Sequence, residues 1–156
     1  MLGAAALWMS THVQIDAPLR TVARFAHLSA LIVGLGAVLT IDWCALLWIL
    51  GRRSLLDVLT LASGSHQIVW FGLAVLTASG ALLSPDLDAA RTQIKLGLVL
   101  IAALNGVQVY DVQQRLKRHA AAPPRRLLIR SVFSAGLSQG CWWGAAWIGF
   151  LAQGTH

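Results

Sequence analysis

The stretch RFAHLSALIVGLGAVLTIDWCALLWIL, residues 24–50, decides the fold class of this chain. It is long enough to cross a hydrocarbon layer about 30 Å thick, because an α-helix rises about 1.5 Å per residue. With it, four apolar stretches cover residues 25–50, 67–84, 92–110 and 131–152. The sequence therefore predicts an all-α integral membrane four-helix bundle, with residues 1–156 as a single transmembrane domain.

The composition and the distribution of charge support this class. The chain is 57% hydrophobic and only 12% charged, and its net charge is +6. Its basic residues concentrate in two loops, as is typical of cytoplasmic loops, so we expect the lipid bilayer and no nucleic acid as its partner. These loops carry Arg52, Arg53, Arg115, Lys117, Arg118, Arg125, Arg126 and Arg130, whereas the opposite side carries Arg20, Arg24 and Arg91. The bias predicts a multi-pass protein of the inner membrane with both termini on the outer side.

A short amphipathic segment separates the first two spans. Residues 54–62 contain four leucines and one valine, with Asp57 as their only charge. Ser54 is a suitable N-cap, and Ser63-Gly64-Ser65 reads as a break. The pattern predicts a short interfacial helix between spans 1 and 2.

His27 is the first candidate for chemistry, because ionisable groups at membrane depth are costly and often functional. Ala23, Ala30 and Gly34 share its helix face at spacings of four, three and seven residues. Small residues beside a histidine leave space for a planar ring such as haem. The alternatives are a histidine that bonds to a neighbouring helix, or a proton relay.

Lys95 opens the third span, and Arg91 lies one turn earlier on the same face. Both cations are candidates for binding a carboxylate, such as a porphyrin propionate, Asp86 or Asp88. The alternative for Lys95 is that its amine reaches the outer headgroups.

A second group of polar residues lies toward the inner side. It consists of Asp42, His66, Asn105 and Gln139. Asp42 is about 22 Å along the helix from His27, too far to share a metal with it, so His66 is its expected partner and a candidate metal ligand. The alternative is a structural hydrogen-bond network.

The last span carries Gly136, Gly140 and Gly144 at four-residue spacing. Such a stripe favours close helix packing, and its partner is either an internal helix or another chain. Trp142 and Trp143 lie beside it, near mid-span, where they are expected to contact helices, lipid or a flat cofactor.

The segments RFAHLSALIVGLGAVLTIDW and TQIKLGLVLIAALNGV resemble a group of small bacterial four-helix membrane proteins. The group includes the haem-associated protoporphyrinogen oxidase family and the copper-resistance D-type proteins. The resemblance implies functional roles for His27 and Lys95 and haem b as cofactor. Gly34 and Asn105-Gly106 stand where the oxidase family has a tryptophan and a tyrosine–histidine pair, so a related scaffold with another role is expected.

Three functions are compatible with these patterns. The first is a haem-b protein in a redox or electron-transfer role, with His27 as ligand. The second is a small proton or metal transporter that uses Asp42 and His66. The third is a non-enzymatic accessory subunit of a larger membrane complex, or a homo-oligomer, that docks through its glycine stripe.

Overall fold

The protein is built of four long helices. The computed structural model describes residues 16–83, 85–119 and 122–153. The helices are α1 (Ala17–Ile49), α2 (Leu55–Leu82), α3 (Ala90–Arg118) and α4 (Arg125–Gln153), and the described ranges contain no strand. The all-α prediction is confirmed.

The helices are suited to a lipid environment. α1, α2 and α3 are each long and apolar enough to cross a membrane. Large apolar side chains cover the outside of the bundle: Phe25 is 74% exposed, Ile32 71% and Phe133 72%. Such contiguous apolar surface indicates a membrane protein, because soluble proteins rarely expose it.

The predicted interfacial helix does not form a separate element. α2 runs without interruption from Leu55 to Leu82, so the expected break at Ser63-Gly64-Ser65 was wrong. The helix accommodates Ser63, whose hydroxyl donates to the Leu59 carbonyl one turn back, and a single glycine is tolerated within a helix. The predicted cap is confirmed: Ser54 and Asp57 form a reciprocal capping box.

The four helices form a ring of two tight hairpins. α1 packs chiefly against α2 and α3 chiefly against α4, and smaller α2–α3 and α1–α4 interfaces close the ring. Short connections at 50–54, 83–89 and 119–124 make successive helices antiparallel.

Small residues hold the first hairpin together. On α1, Ala30 and Gly34 are buried, and on α2 Gly72 lies directly against them. A Cβ atom built on Gly72 would come within 3.1 Å of the Gly34 Cα and 3.2 Å of the Ala30 carbonyl oxygen. The two backbones therefore approach more closely than residues with side chains would allow.

The second hairpin combines polar and apolar contacts. Asn105 on α3 donates to the Ser134 carbonyl at 2.9 Å, and the Ser134 hydroxyl donates to the Asn105 side-chain oxygen.

Near the α3–α4 connection, Leu116 and Val112 of α3 pack with Leu59 of α2. This apolar cluster joins the two hairpins at that end of the bundle.

The Gly72 contact gives a direct test of the fold. We expect Gly72→Ala to lower the free energy of unfolding by about 1–3 kcal/mol, because the added methyl group meets backbone atoms that cannot turn away. Thermal unfolding of the purified protein in detergent measures the change. Gly64→Ala is the matched control on the same helix: nothing lies within 4 Å of a Cβ there, so stability is unchanged or slightly raised. Equal effects of the two substitutions would contradict the close approach.

Candidate functional site

A cavity of about 420 Å³ lies between the two hairpins. It occupies the half of the bundle next to the α1–α2 and α3–α4 connections, from Trp142 and Leu73 near mid-bundle to Leu116 and Leu128. All four helices line it, and most of its wall is apolar. Its polar and aromatic lining comprises Asp42, Trp48, His66, Trp70, Asn105, Gln113, Ser131, Ser134, Ser138 and Trp142. A cavity of this size is in the range that takes small molecules or cofactors.

Asp42 is the carboxyl group of the cavity. Its Oδ2 accepts a hydrogen bond from the Nε2 of Gln139, which joins α1 to α4. The Oε1 of Gln139 is buried and has no hydrogen-bond partner among the described residues. The expected pairing of Asp42 with His66 was therefore wrong: both line the cavity, but the hydrogen-bond partner of Asp42 comes from α4.

His66 is held by its neighbours on α2 and α3. The indole Nε1 of Trp70 donates to His66 Nε2 at 2.8 Å. Because an indole N–H can only donate, Nε2 is unprotonated and the neutral ring carries its proton on Nδ1. Tyr110 lies against the ring, with centroids 5.5 Å apart. These contacts fix the orientation of the imidazole at the cavity wall.

The charge pattern of the cavity restricts its ligands. The described residues that line it include one carboxyl group and no lysine or arginine. Trp48, Trp70 and Trp142 contribute aromatic surface. Carboxylates and tryptophan faces attract cations, whereas they offer an anion no counter-charge. The lining therefore favours a neutral or cationic ligand with an apolar body.

His27 lies outside the cavity, at the opposite half of the bundle. Its Nδ1 is 3.0 Å from the Ser79 hydroxyl oxygen, and that hydroxyl donates to the Val75 carbonyl. The Ser79 oxygen therefore accepts from His27, whose Nδ1 carries the proton and whose Nε2 is unprotonated. This is the tautomer in which a histidine can bind a metal, with its other nitrogen anchored.

The space that haem needs beside His27 is filled in this structure. Ala23 and Ala30 are buried, and the Trp142 ring covers Gly34 so closely that a Cβ there would lie 2.5 Å from it. The absence of a side chain at Gly34 thus allows both α2 and the indole of Trp142 to pack closely against α1. The small-residue face that suggested a slot for a planar ring is the α1–α2 interface.

The cations expected to bind propionates lie on α3, with Lys95 half-buried and Arg91 exposed. The one ion pair among the described residues joins Arg115 to Asp111, so the alternative pairing of Lys95 with Asp86 or Asp88 is not formed. Those residues also contain no cluster of three or more metal-ligating side chains. His27 and His66 lie in different halves of the bundle and cannot share one metal.

The glycine stripe on α4 divides between two environments. Gly144 packs against Leu98 of α3, at 3.1 Å from a Cβ built there. Gly136 and Gly140 are exposed and have nothing within 4 Å of such an atom. An internal partner is therefore excluded for these two glycines among the described residues, and contact with another chain stays a prediction.

Comparison with known proteins gives no relative from which a role could be transferred. No family model, curated protein or solved structure matches the chain. The geometry of the cavity therefore carries the functional argument.

Trp48, Trp70 and Gln113 of the cavity were not among the site candidates from the sequence, whereas Trp142 was expected to contact helices, lipid or a flat cofactor. Trp70 follows His66 by four residues, a spacing that places both on one helix face. Trp48 has no such signal, because it comes from α1 and lines the cavity only through the packing of the hairpins.

Proposed function

We propose that this protein binds a lipophilic organic cation in the cavity between its two hairpins, as a small membrane transporter or receptor for such molecules. The observation that supports the proposal is an apolar cavity with Asp42 as its carboxyl group and three tryptophans in its wall. No lysine or arginine among the described lining residues competes for Asp42. This is the transporter hypothesis with a more specific substrate class.

Each part of the lining has a chemical task in this proposal. The apolar wall takes the hydrocarbon body of the ligand out of water, and the tryptophan faces attract its positive charge. The ionised form of Asp42 supplies the counter-charge. His66 and Asn105 are held by Trp70 and Ser134, so they present fixed polar groups to the ligand without rearrangement.

We further propose that all four helices cross the inner membrane. α4 has 29 residues, or about 43 Å of helix, and packs antiparallel along α3 from Ser134 to Gly144. A helix packed in this way along a membrane-spanning neighbour shares its depth. Basic residues lie in the 50–54 connection and at the ends of α3 and α4 that flank the 119–124 connection. We infer from them that both termini lie outside and the cavity lies in the cytoplasmic half.

Haem b in a redox or electron-transfer role is the alternative proposal. The tautomer of His27 supports it, because Nε2 is the nitrogen that would bind iron. The closed face at Gly34 and the cation-free lining of the cavity do not fit a ring with two propionates. A Soret band in protein purified from haem-replete membranes, lost in His27→Ala, would favour this alternative. Its absence is the outcome that we expect.

Binding of tetraphenylphosphonium tests the cation proposal. We expect the purified protein to bind this cation and Asp42→Asn to weaken the binding at least about tenfold, because the substitution removes the counter-charge from a poorly solvated site. Quenching of tryptophan fluorescence reports the binding, since three tryptophans line the cavity.

Two controls make the cation experiment specific. Asp111→Asn removes an exposed carboxylate that is paired with Arg115 on the surface, and should leave the affinity unchanged. Triphenylphosphine oxide offers a similar aromatic body without a net charge and should bind more weakly. Equal affinity for the neutral compound, together with unchanged binding in Asp42→Asn, would contradict the proposal.

A further inference from the structure

The contact between Asp42 and Gln139 is unusual because only the nitrogen of the Gln139 amide is hydrogen-bonded, and its oxygen is not. The amide nitrogen of Gln139 donates to one carboxyl oxygen, while its Oε1 is buried without a partner. An unsatisfied buried acceptor costs about 1–3 kcal/mol. An ionised Asp42 has only acceptor oxygens, so it could not donate a hydrogen bond to this oxygen.

A proton on the carboxyl group removes this conflict. A carboxylic acid and a primary amide can form a cyclic pair in which each group donates one hydrogen bond and accepts one. The acid O–H would donate to Gln139 Oε1, and the amide N–H already donates to the other carboxyl oxygen. Neutralisation also avoids the cost of a charge at membrane depth.

The other titratable side chain that faces the cavity is His66 on α2. It would lose the hydrogen bond from Trp70 if Nε2 took up a proton, so it is a poor counter-cation for Asp42. The described residues that line the cavity from α3 and α4 contribute amides, hydroxyls and apolar groups. Gln139 is thus the hydrogen-bonding partner that the described structure gives Asp42.

We propose that Asp42 is an intramembrane proton-binding site, which Gln139 holds as a neutral carboxylic acid when no cation occupies the cavity. In this pair the proton is on Asp42 Oδ1, because Oδ2 is the oxygen that accepts from the Gln139 amide. A second step, which rests on the proposed function, follows from the same geometry. A lipophilic cation that enters the cavity displaces this proton, so that one positive charge replaces another and cation binding is coupled to proton release.

Infrared spectroscopy of the protein in an ester-free detergent tests the proton site. The difference spectrum between the wild type and Asp42→Asn at neutral pH should show the C=O band of a protonated carboxylic acid. Asparagine preserves the cyclic pair, so this variant should fold. If it does not, wild type labelled with ¹³C in the aspartate carboxyl groups shows whether an acid band is present and shifts with the label. Bands of an ionised carboxylate in place of the acid band would overturn the proposal.

The same spectra test whether Gln139 is hydrogen-bonded to the protonated Asp42. Gln139→Leu should move the acid band to higher frequency, because the C=O group loses its hydrogen bond. Gln113→Leu is the matched control, since Gln113 lines the same cavity from α3, and it should leave the band in place. An acid band whose frequency is unchanged in Gln139→Leu would show that Asp42 and Gln139 do not form the hydrogen-bonded pair.

Addition of tetraphenylphosphonium to the wild type separates the two steps. Loss of the acid band, with release of one proton per bound cation, supports both the proton site and its coupling. A persistent acid band with no cation binding leaves the proton site standing and contradicts the proposed function. A persistent band despite measured cation binding overturns the coupling alone.

Discussion

The structure depends on the fact that lipid gives helices no hydrophobic reason to associate. Helices in a membrane are held together by close packing and by hydrogen bonds. This protein uses the first means between α1 and α2, where Gly34 and Gly72 bring two backbones together. It uses the second between α3 and α4, where Asn105 and Ser134 exchange hydrogen bonds. Two stable hairpins result, and the space left where they meet is the cavity.

The interface between the hairpins sets the chemistry of the cavity. Trp142 lines the cavity near mid-bundle, and its ring packs directly against Gly34. Asp42 lines the cavity, and its hydrogen bond from Gln139 joins α1 to α4. The same contact therefore closes the ring of helices and presents a carboxyl group to whatever enters. A ligand that engages Asp42 acts directly on the interface between the hairpins.

Much of the fold follows from the sequence, because spans of apolar residues leave few alternatives. The helical class was predictable, and so was the cap that Ser54 provides at the start of α2. The expected break at Ser63-Gly64-Ser65 did not form, because lipid favours continuous helices in which every backbone group is bonded. Local turn signals carry less weight there than in water.

The candidate site was only partly predictable. Asp42, His66 and Asn105 were expected on the inner side and do line one cavity. The sequence also placed Gln139 in this group, but it did not identify Gln139 as the partner of Asp42. That pairing depends on the rotation of α4, which the sequence pattern does not specify.

The small residues near His27 show the same limit. Gly34 has the spacing that would suit a cofactor slot, but equally the spacing of a close helix interface. On α2, the small residues Gly72 and Ser79 are seven residues apart and so share one helix face. This matching spacing favours a close interface between α1 and α2. Periodic small residues should therefore first be matched between successive spans before space for a cofactor is inferred from them.

The most direct test of this account is the coupling energy between Asp42 and Gln139. Unfolding free energies of the wild type, Asp42→Ala, Gln139→Ala and the double variant form a double-mutant cycle. The account predicts a coupling of about 0.5–2 kcal/mol, because the side chains bond to each other across the α1–α4 interface. Additive effects within about 0.3 kcal/mol would contradict it, since α1 and α4 would then not meet at these residues.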